Sequence, residues 1–196
     1  MTGKRVLWII AGGNGAGKST FYHKILTETN GVLGDDMPPL VNADDLARKK
    51  LNRHPSSTEE MKSAQVEIAL ITGVLIGQGK SFCYETVFSH HSKIDLIDEA
   101  KRKGYIVNLI YIHLDSDSLN VARVEERVDH GGHPVPKDRI RKRIPRTHEN
   151  IKKAYPLVDS LSVYDNSSFY ELILEKRSAK NTFARDPLPP WAEDLN

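Results

Sequence analysis

The feature that most constrains the fold of this chain is a glycine-rich segment, GGNGAGKS, at residues 12–19. It fits the pattern G-x-x-x-x-G-K-[ST]. Residues 5–11 before it are almost continuously apolar, as in a strand buried on both faces, and residues 18–29 after it have the pattern of a helix. A buried strand, a glycine loop and a helix in this order predict a phosphate-binding loop, whereas the same turn without a ligand is the alternative.

Each residue type in this loop has a physical reason. Glycines and a small alanine let the backbone curl around phosphate oxygens and present its N–H groups, and the helix start adds its positive dipole end. Lys18 supplies a mobile positive charge for the β and γ phosphates, and Ser19 a hydroxyl ligand for Mg²⁺. The residues expected to contact the nucleotide are Gly12, Gly13, Asn14, Gly15, Ala16, Gly17, Lys18, Ser19 and Thr20.

The rest of the chain alternates between strand-like and helix-like segments, which is typical of a parallel sheet covered on both faces. Strands are predicted at residues 5–11, 40–42, 81–84, 105–114 and 161–164, with an addition at 171–175. Helices are predicted at 18–29, 58–77, 93–103, 118–128 and 137–154. The prediction is therefore an α/β domain over residues 1–177 with a five-stranded parallel sheet, and a proline-containing tail, 178–196, that is extended or loosely docked.

Composition excludes several classes of protein. Of 196 residues, 39% are hydrophobic, which is enough for a core, and no apolar run reaches the length of a membrane span. The 28 basic and 26 acidic residues give a net charge of +2, which offers no argument for nucleic acid or membrane partners. No signal peptide is apparent, and the single cysteine, Cys83, is expected to pack inside a strand. We therefore expect a cytoplasmic protein.

A phosphate-binding loop alone does not decide between a kinase, a hydrolase and a switch. The second predicted strand ends in Asp44 and Asp45, and parallel sheets place ligands at the carboxyl ends of their strands. A carboxylate there can accept the proton of an attacking hydroxyl and also hold Mg²⁺. The alternative is that Asp44 is only the N-cap of the next helix. Glu85 and Thr86 follow the third strand and could bind substrate hydroxyls or simply face water.

A basic segment at residues 123–146 holds eight Lys or Arg against four acids. Arg139, Arg143 and Arg146 recur at helical spacing, and Gly131 and Gly132 separate this group from an earlier pair of arginines. The arrangement predicts an arginine-rich lid that neutralises a moving phosphoryl group and excludes water. A solvated basic face is the alternative, while nucleic-acid binding is disfavoured because no aromatic residues are interleaved.

With these segments placed, the chain resembles the zeta toxin family of P-loop kinases. The matching stretches are AGGNGAGKST (11–20), LVNADDL (40–46), FCYETVFS (82–89), RVEERVDHGGHPVP (123–136), the helix around 140–143, and VYDNS (163–167). The phosphate loop is generic, whereas the Glu-Thr pair combined with the lid pattern is much more specific.

The resemblance implies a nucleoside-monophosphate-kinase-like fold and transfer of the γ-phosphate of ATP, with Mg²⁺, to a sugar hydroxyl of UDP-N-acetylglucosamine or a related nucleotide sugar. It implies a separate antitoxin as a partner. The resemblance assigns Asp44 as the general base, Glu85 and Thr86 as substrate contacts, Arg127, Arg141 and Arg143 as the phosphate clamp, and Asp165 and Asn166 at the adenine edge. Ser19 and Asp44 are expected to hold the metal, and Asp45 to contact the substrate.

Three alternatives stay open at this point. The Asn42-Ala43-Asp44-Asp45 motif leaves either aspartate as the base. The acceptor could instead be a nucleoside, an antibiotic or a polynucleotide end. The chain could also be an ATP-dependent interaction or regulatory module with little kinase activity.

Overall fold

A computed structural model of the chain describes residues 4–27, 38–55, 57–178 and 180–195. Its centre is a single sheet of seven strands in the order β2-β3-β1-β4-β5-β6-β7. The strands are β1 (Val6–Gly12), β2 (Leu40–Val41), β3 (Phe82–Thr86), β4 (Ile106–His113), β5 (Ser160–Asp165), β6 (Glu171–Arg177) and β7 (Lys180–Ala184). Strands β1 to β5 pair in parallel, which confirms the predicted five-stranded parallel sheet.

Six α-helices among the described residues connect these strands: α1 (Lys18–Phe21), α2 (Ala43–Leu51), α3 (Thr58–Gly77), α4 (Ser92–Arg102), α5 (Asp117–Asp129) and α6 (Lys137–Ala154). Helix α1 continues as a π-helical turn, Tyr22–Leu26. The part of the predicted 18–29 helix beyond Thr27 lies outside the described residues. No helix in the described part of the chain combines the length and apolarity that a membrane crossing requires.

Alternate side chains of β1 are buried in two different cores, one on each face of the sheet. Leu7, Ile9 and Ala11 pack with α3, α4 and α6, while Ile10 packs with α1 and Leu119 of α5 on the opposite face. Because a strand points successive side chains to opposite faces, a continuously apolar strand needs a helical layer on each side. Cys83 is fully buried in the second core, where its role is packing, as expected.

The C-terminal region differs from the predicted loose tail. Strands β6 and β7 extend the sheet in antiparallel fashion, and a 3-10 turn, Pro190–Leu195, follows. Ala192 and Leu195 are buried in the core that contains Leu7, Ile9 and Ala11, which is the main core of the protein. Asp194 pairs with His148 at 2.8 Å and with Lys152 at 2.9 Å, both on α6. The proline content predicted an extended segment, but the burial of apolar side chains against α6 and β4 docks it.

The parallel strands place their carboxyl ends along one edge of the sheet. Register pairs Ile10 of β1 with Glu85 of β3, and Gly12 with Ile112 of β4. The loop after β1 and the residues at the end of β3 therefore meet at this edge.

Candidate functional site

In the glycine loop after β1, two glycines adopt backbone angles that other residues disfavour. Gly15 and Gly17 have φ of 79° and 94°, in the left-handed region that side chains with a Cβ disfavour. A Cβ on Gly17 would lie 2.5 Å from Nδ2 of Asn166, so the loop is also closely packed from behind. Asn14, Gly15 and residues 17–20 line a cleft of about 1460 Å³ at the carboxyl edge of the sheet, while Gly12, Gly13 and Ala16 lie beneath that lining.

The ammonium of Lys18 is buried within this loop. Its Nζ donates to the carbonyl of Gly13 at 2.9 Å. Burial lowers the pKa of Lys18, while the carboxylates of Glu85 and Asp44 act in the opposite direction. A buried cation in a glycine-rich loop that leads into a helix is an environment that binds anions.

Three side chains hold the loop backbone from outside. Asn120 donates to Asn14 O at 2.7 Å, Asn166 to Ala16 O at 2.9 Å, and the Tyr170 hydroxyl to Gly17 O at 2.7 Å. Asn120 and Tyr170 were not predicted, because neither lies in a sequence motif. Asn166, which was expected at the adenine edge, lines the cleft and also braces the phosphate loop.

Asp165 does not line the cleft. Its Oδ1 accepts a hydrogen bond of 2.7 Å from Ser167 N, which closes the turn after β5. The prediction that Asp165 contacts the nucleotide is therefore not supported by its position.

An acidic side chain lies against the start of α1. Ser19 Oγ donates to Glu85 Oε2 at 2.9 Å, and Asn42 Nδ2 donates to the same oxygen at 2.6 Å. Burial raises the pKa of Glu85, and Lys18 and the Ser19 hydrogen bond lower it. The sequence patterns predicted Ser19 and Asp44 as metal ligands, and the resemblance assigned Glu85 to the substrate. The hydrogen bonds pair Ser19 with Glu85 instead.

The structure separates the two adjacent aspartates. The N-cap of α2 is Asn42, whose Oδ1 accepts from the backbone N–H of Asp44 at 2.7 Å and of Asp45 at 3.2 Å. The interpretation of Asp44 as the N-cap is therefore wrong. Asp44 lines the cleft, and its Oδ2 lies 3.7 Å from Nη1 of Arg127. Asp45 pairs with Arg48 at 3.3 Å on the outer surface, so its predicted substrate contact is not supported.

The arginines of α5 and α6 divide by helical face. Arg127 and Arg143 line the cleft as predicted, and Arg143 Nη1 donates to Asn14 Oδ1 at 3.3 Å. Arg141 points away and lies 3.5 Å from Asp117, because two residues along a helix turn the side chain to the far side. Arg141, which the resemblance assigns to the phosphate clamp, does not line the cleft. Three further arginines that the resemblance did not assign to the clamp also line the cleft: Arg123, Arg139 and Arg146.

The paired glycines of the predicted lid close a helix. Gly131 has φ of 84°, its N–H donates to Val128 O at 2.8 Å, and Gly132 N–H donates to Arg127 O at 2.9 Å. A Cβ on Gly132 would lie 2.7 Å from Cγ of Arg127. The glycines thus form the C-terminal cap of α5 and permit close packing against Arg127.

The loop after β3 supplies another wall of the cleft. Thr86 lines it, as predicted, and its Oγ1 accepts from Phe88 N–H at 3.2 Å. Lys62 and Gln65 of α3 also line the cleft. Among the described residues that line the cleft, nine are Lys or Arg and four are Asp or Glu. The cleft is therefore strongly cationic, in contrast to the near-neutral whole chain.

Comparisons with known proteins agree with this architecture. The sequence model of the zeta toxin family matches residues 2–178. An uncharacterized protein of Haemophilus influenzae is 28% identical over 147 residues, covering 71% of this chain and 98% of that protein.

Two solved structures share the fold at low sequence identity. The AvrRxo1-ORF1:-ORF2 structure with ATP has a TM-score of 0.69 at 17% identity and covers 92% of this chain. This chain spans 61% of that protein's length. A structure of the PezAT chromosomal toxin–antitoxin system of Streptococcus pneumoniae has a TM-score of 0.61 at 16% identity, covering 93% of this chain and 75% of that one. With its family match over most of the sequence, the chain belongs to the zeta toxin family of P-loop kinases.

Proposed function

We propose that this protein transfers the γ-phosphate of ATP to a sugar hydroxyl of an anionic acceptor of the UDP-N-acetylglucosamine class, with Mg²⁺ as cofactor. The observation that carries the proposal is that one cleft is lined by the phosphate loop, by the carboxylate of Asp44 and by the arginines of two helices. A donor site and a base beside it are what phosphoryl transfer to an alcohol requires.

The donor triphosphate binds at the glycine loop. Backbone amides of residues 13–19 and the ammonium of Lys18 hold the β and γ phosphates. Arg143, which is hydrogen-bonded to Asn14 at the loop, stabilises negative charge on the transferred group. The braces from Asn120 and Tyr170 fix the loop before the nucleotide arrives, which reduces the entropy lost on binding.

The donor set beside the loop fits Mg²⁺. Ser19 Oγ and Glu85 Oε2 are 2.9 Å apart, and both are oxygen ligands of the kind that Mg²⁺ prefers. Mg²⁺ is usually bound through one or two protein oxygens together with phosphate oxygens and water, so this pair of oxygens fits it. When bound, the ion neutralises charge on the β and γ phosphates. Ser19 and Glu85 are the residues that would hold it.

Asp44 acts on the acceptor. Its carboxylate takes the proton of the acceptor hydroxyl as the oxygen forms a bond to the γ phosphorus, and the bond from that phosphorus to the β–γ bridging oxygen breaks. The electron pair of the broken bond stays on the oxygen of the departing ADP. Arg127, whose Nη1 lies 3.7 Å from Asp44 Oδ2, faces the same cleft.

The charge of the cleft supports an acceptor that itself carries phosphate. Nine cationic side chains against four acidic ones exceed what one triphosphate needs, and Lys62, Lys93 and Arg146 are among the nine. A nucleotide sugar supplies both a diphosphate and a free hydroxyl. We also propose a separate antitoxin as a partner, since PezAT is a toxin–antitoxin system with this fold.

The test is ADP formation with a panel of acceptors, followed by mass spectrometry of the product. The panel contains UDP-N-acetylglucosamine, UDP-glucose, free N-acetylglucosamine, a nucleoside, an aminoglycoside and an oligonucleotide with a 5′-hydroxyl. We expect ADP formation and a product heavier by one phosphate with the nucleotide sugars, and none with the uncharged free sugar. ATP turnover that no acceptor stimulates would refute the proposal and favour a hydrolase or an interaction module.

A further inference from the structure

The loop between β3 and α4 has a strained backbone at the wall of the cleft. Phe88 has φ of 65°, which is unusual for a bulky residue other than glycine. Its side chain is 1% exposed and is anchored in the main core. A residue keeps such a conformation only where its surroundings hold it, and such residues cluster at functional sites.

Two buried polar side chains of α6 hold this loop. Thr147 Oγ1 donates to the carbonyl of Val87 at 2.8 Å and shares that proton with the carbonyl of Arg143 at 2.9 Å, while Asn150 Nδ2 donates to the carbonyl of Phe88 at 2.9 Å. Thr147 and Asn150 are 1% and 8% exposed. A buried hydroxyl and amide aimed at consecutive carbonyls satisfy groups that the turn would otherwise leave without a partner.

The backbone turn at Phe88 also fixes the side chain of Thr86. Phe88 N–H donates to Thr86 Oγ1, so the position of the hydroxyl depends on the conformation of Phe88. Thr86, Val87, Ser89 and His90 all line the cleft. The same helix that presents Arg139, Arg143 and Arg146 to the cleft therefore also sets the loop on its other wall.

We propose that Thr147 and Asn150 are positioning residues that hold the loop of Thr86 in its strained conformation and so set the affinity for the acceptor. This proposal rests on the proposed function for the identity of the site. It adds that the arginine helix and the acceptor loop form one unit, through two side chains that do not line the cleft. Loss of either hydrogen bond lets the turn relax and moves Thr86, whereas the phosphate loop, which α6 does not brace through these residues, keeps its conformation.

The test compares Thr147→Val, which keeps the shape and removes the hydroxyl, with Thr147→Ser, which keeps the hydroxyl. We expect Thr147→Val to raise the KM for the acceptor about tenfold, the effect of one lost hydrogen bond, with the KM for ATP unchanged. Thr147→Ser should behave as wild type. Asn150→Ala removes the second donor and should act in the same direction, which provides an independent variant if Thr147→Val fails to fold.

A second readout does not depend on turnover. Hydrogen exchange at the Phe88 amide should be faster in Thr147→Val than in wild type and Thr147→Ser, because that N–H is protected only in the strained turn. If wild type phosphorylates no acceptor, the proposed function fails while this measurement still tests the loop. Equal exchange in Thr147→Val and Thr147→Ser, or a KM for ATP that rises together with the KM for the acceptor, would overturn the inference.

Discussion

The ring of His113, at the end of β4, must stay uncharged in the folded protein. It stacks on Trp191 of the C-terminal 3-10 turn with ring centroids 4.1 Å apart, and Nδ1 lies 2.8 Å from the hydroxyl of Tyr111. Burial lowers the pKa of His113 to about 4; the neighbouring His148 also lowers it, and Asp165 acts in the opposite direction. A neutral ring can accept the Tyr111 hydrogen bond at Nδ1, whereas a protonated ring cannot.

The sign and size of the effect on stability follow from this pKa. The unfolded chain binds the proton with a pKa of about 6.5, above the folded value, so the contribution is complete above that pH and is lost as pH falls toward the folded pKa. With a folded pKa of about 4, the free energy of unfolding should drop by about 2 kcal/mol between pH ~7 and pH ~4.5 from this group alone.

The assay is urea unfolding of wild type and His113→Phe in the same buffers at both pH values. The phenylalanine keeps an aromatic ring against Trp191 and cannot titrate, so subtraction removes the contribution of groups common to both proteins. His113→Phe should be less stable at neutral pH by about 1 kcal/mol, since it loses the Tyr111 hydrogen bond, and should lose less stability on acidification. Equal losses of stability in both proteins would refute the assignment of a buried, neutral His113.

Three further predictions concern the cleft. Arg143→Ala should lower kcat by at least about tenfold in the kinase assay, because Arg143 stabilises charge at the phosphate loop. Arg141→Ala should leave kcat unchanged, because that side chain pairs with Asp117 outside the cleft. Equal effects of the two substitutions would contradict the placement of the two arginines. Tyr170→Phe removes the hydrogen bond to Gly17 and should weaken binding of an ATP analogue by up to about tenfold in calorimetry, with the fold retained by circular dichroism; unchanged affinity would show that the brace is dispensable. Because burial raises the pKa of Glu85, the acidic limb of the pH profile of kcat/KM should lie above the range of an ordinary glutamate and move to lower pH in Glu85→Gln, and a limb in the ordinary range would contradict this role.

The sequence predicted the parts of the fold that local pattern controls. The continuous apolar run of β1 and the alternation of strands and helices gave the five parallel strands, because burial on both faces leaves a direct mark on composition. The docked C-terminal turn left no such mark. Its proline content favours extended structure, and only the packing of Trp191 and Leu195 against distant elements decides its position.

The candidate site was predictable where a motif or a helical period carried it. The glycine loop placed Lys18 and Ser19, and the spacing of Arg139, Arg143 and Arg146 marked the cleft face of α6. The resemblance assigned Arg141 against that period, and Arg141 lies outside the cleft. Asn120 and Tyr170 act on the loop across more than a hundred residues of sequence, so no local pattern could have identified them.

The central claim is that Asp44, and not Asp45, primes an acceptor hydroxyl beside a bound triphosphate. The most direct measurement compares Asp44→Asn with Asp45→Asn for acceptor-dependent ADP formation and for binding of a non-hydrolysable ATP analogue. Asp44→Asn should lose about a hundredfold or more in kcat with nucleotide affinity retained, whereas Asp45→Asn, whose parent side chain pairs with Arg48 outside the cleft, should turn over as wild type. Full activity in Asp44→Asn, or its loss in Asp45→Asn, would contradict the account.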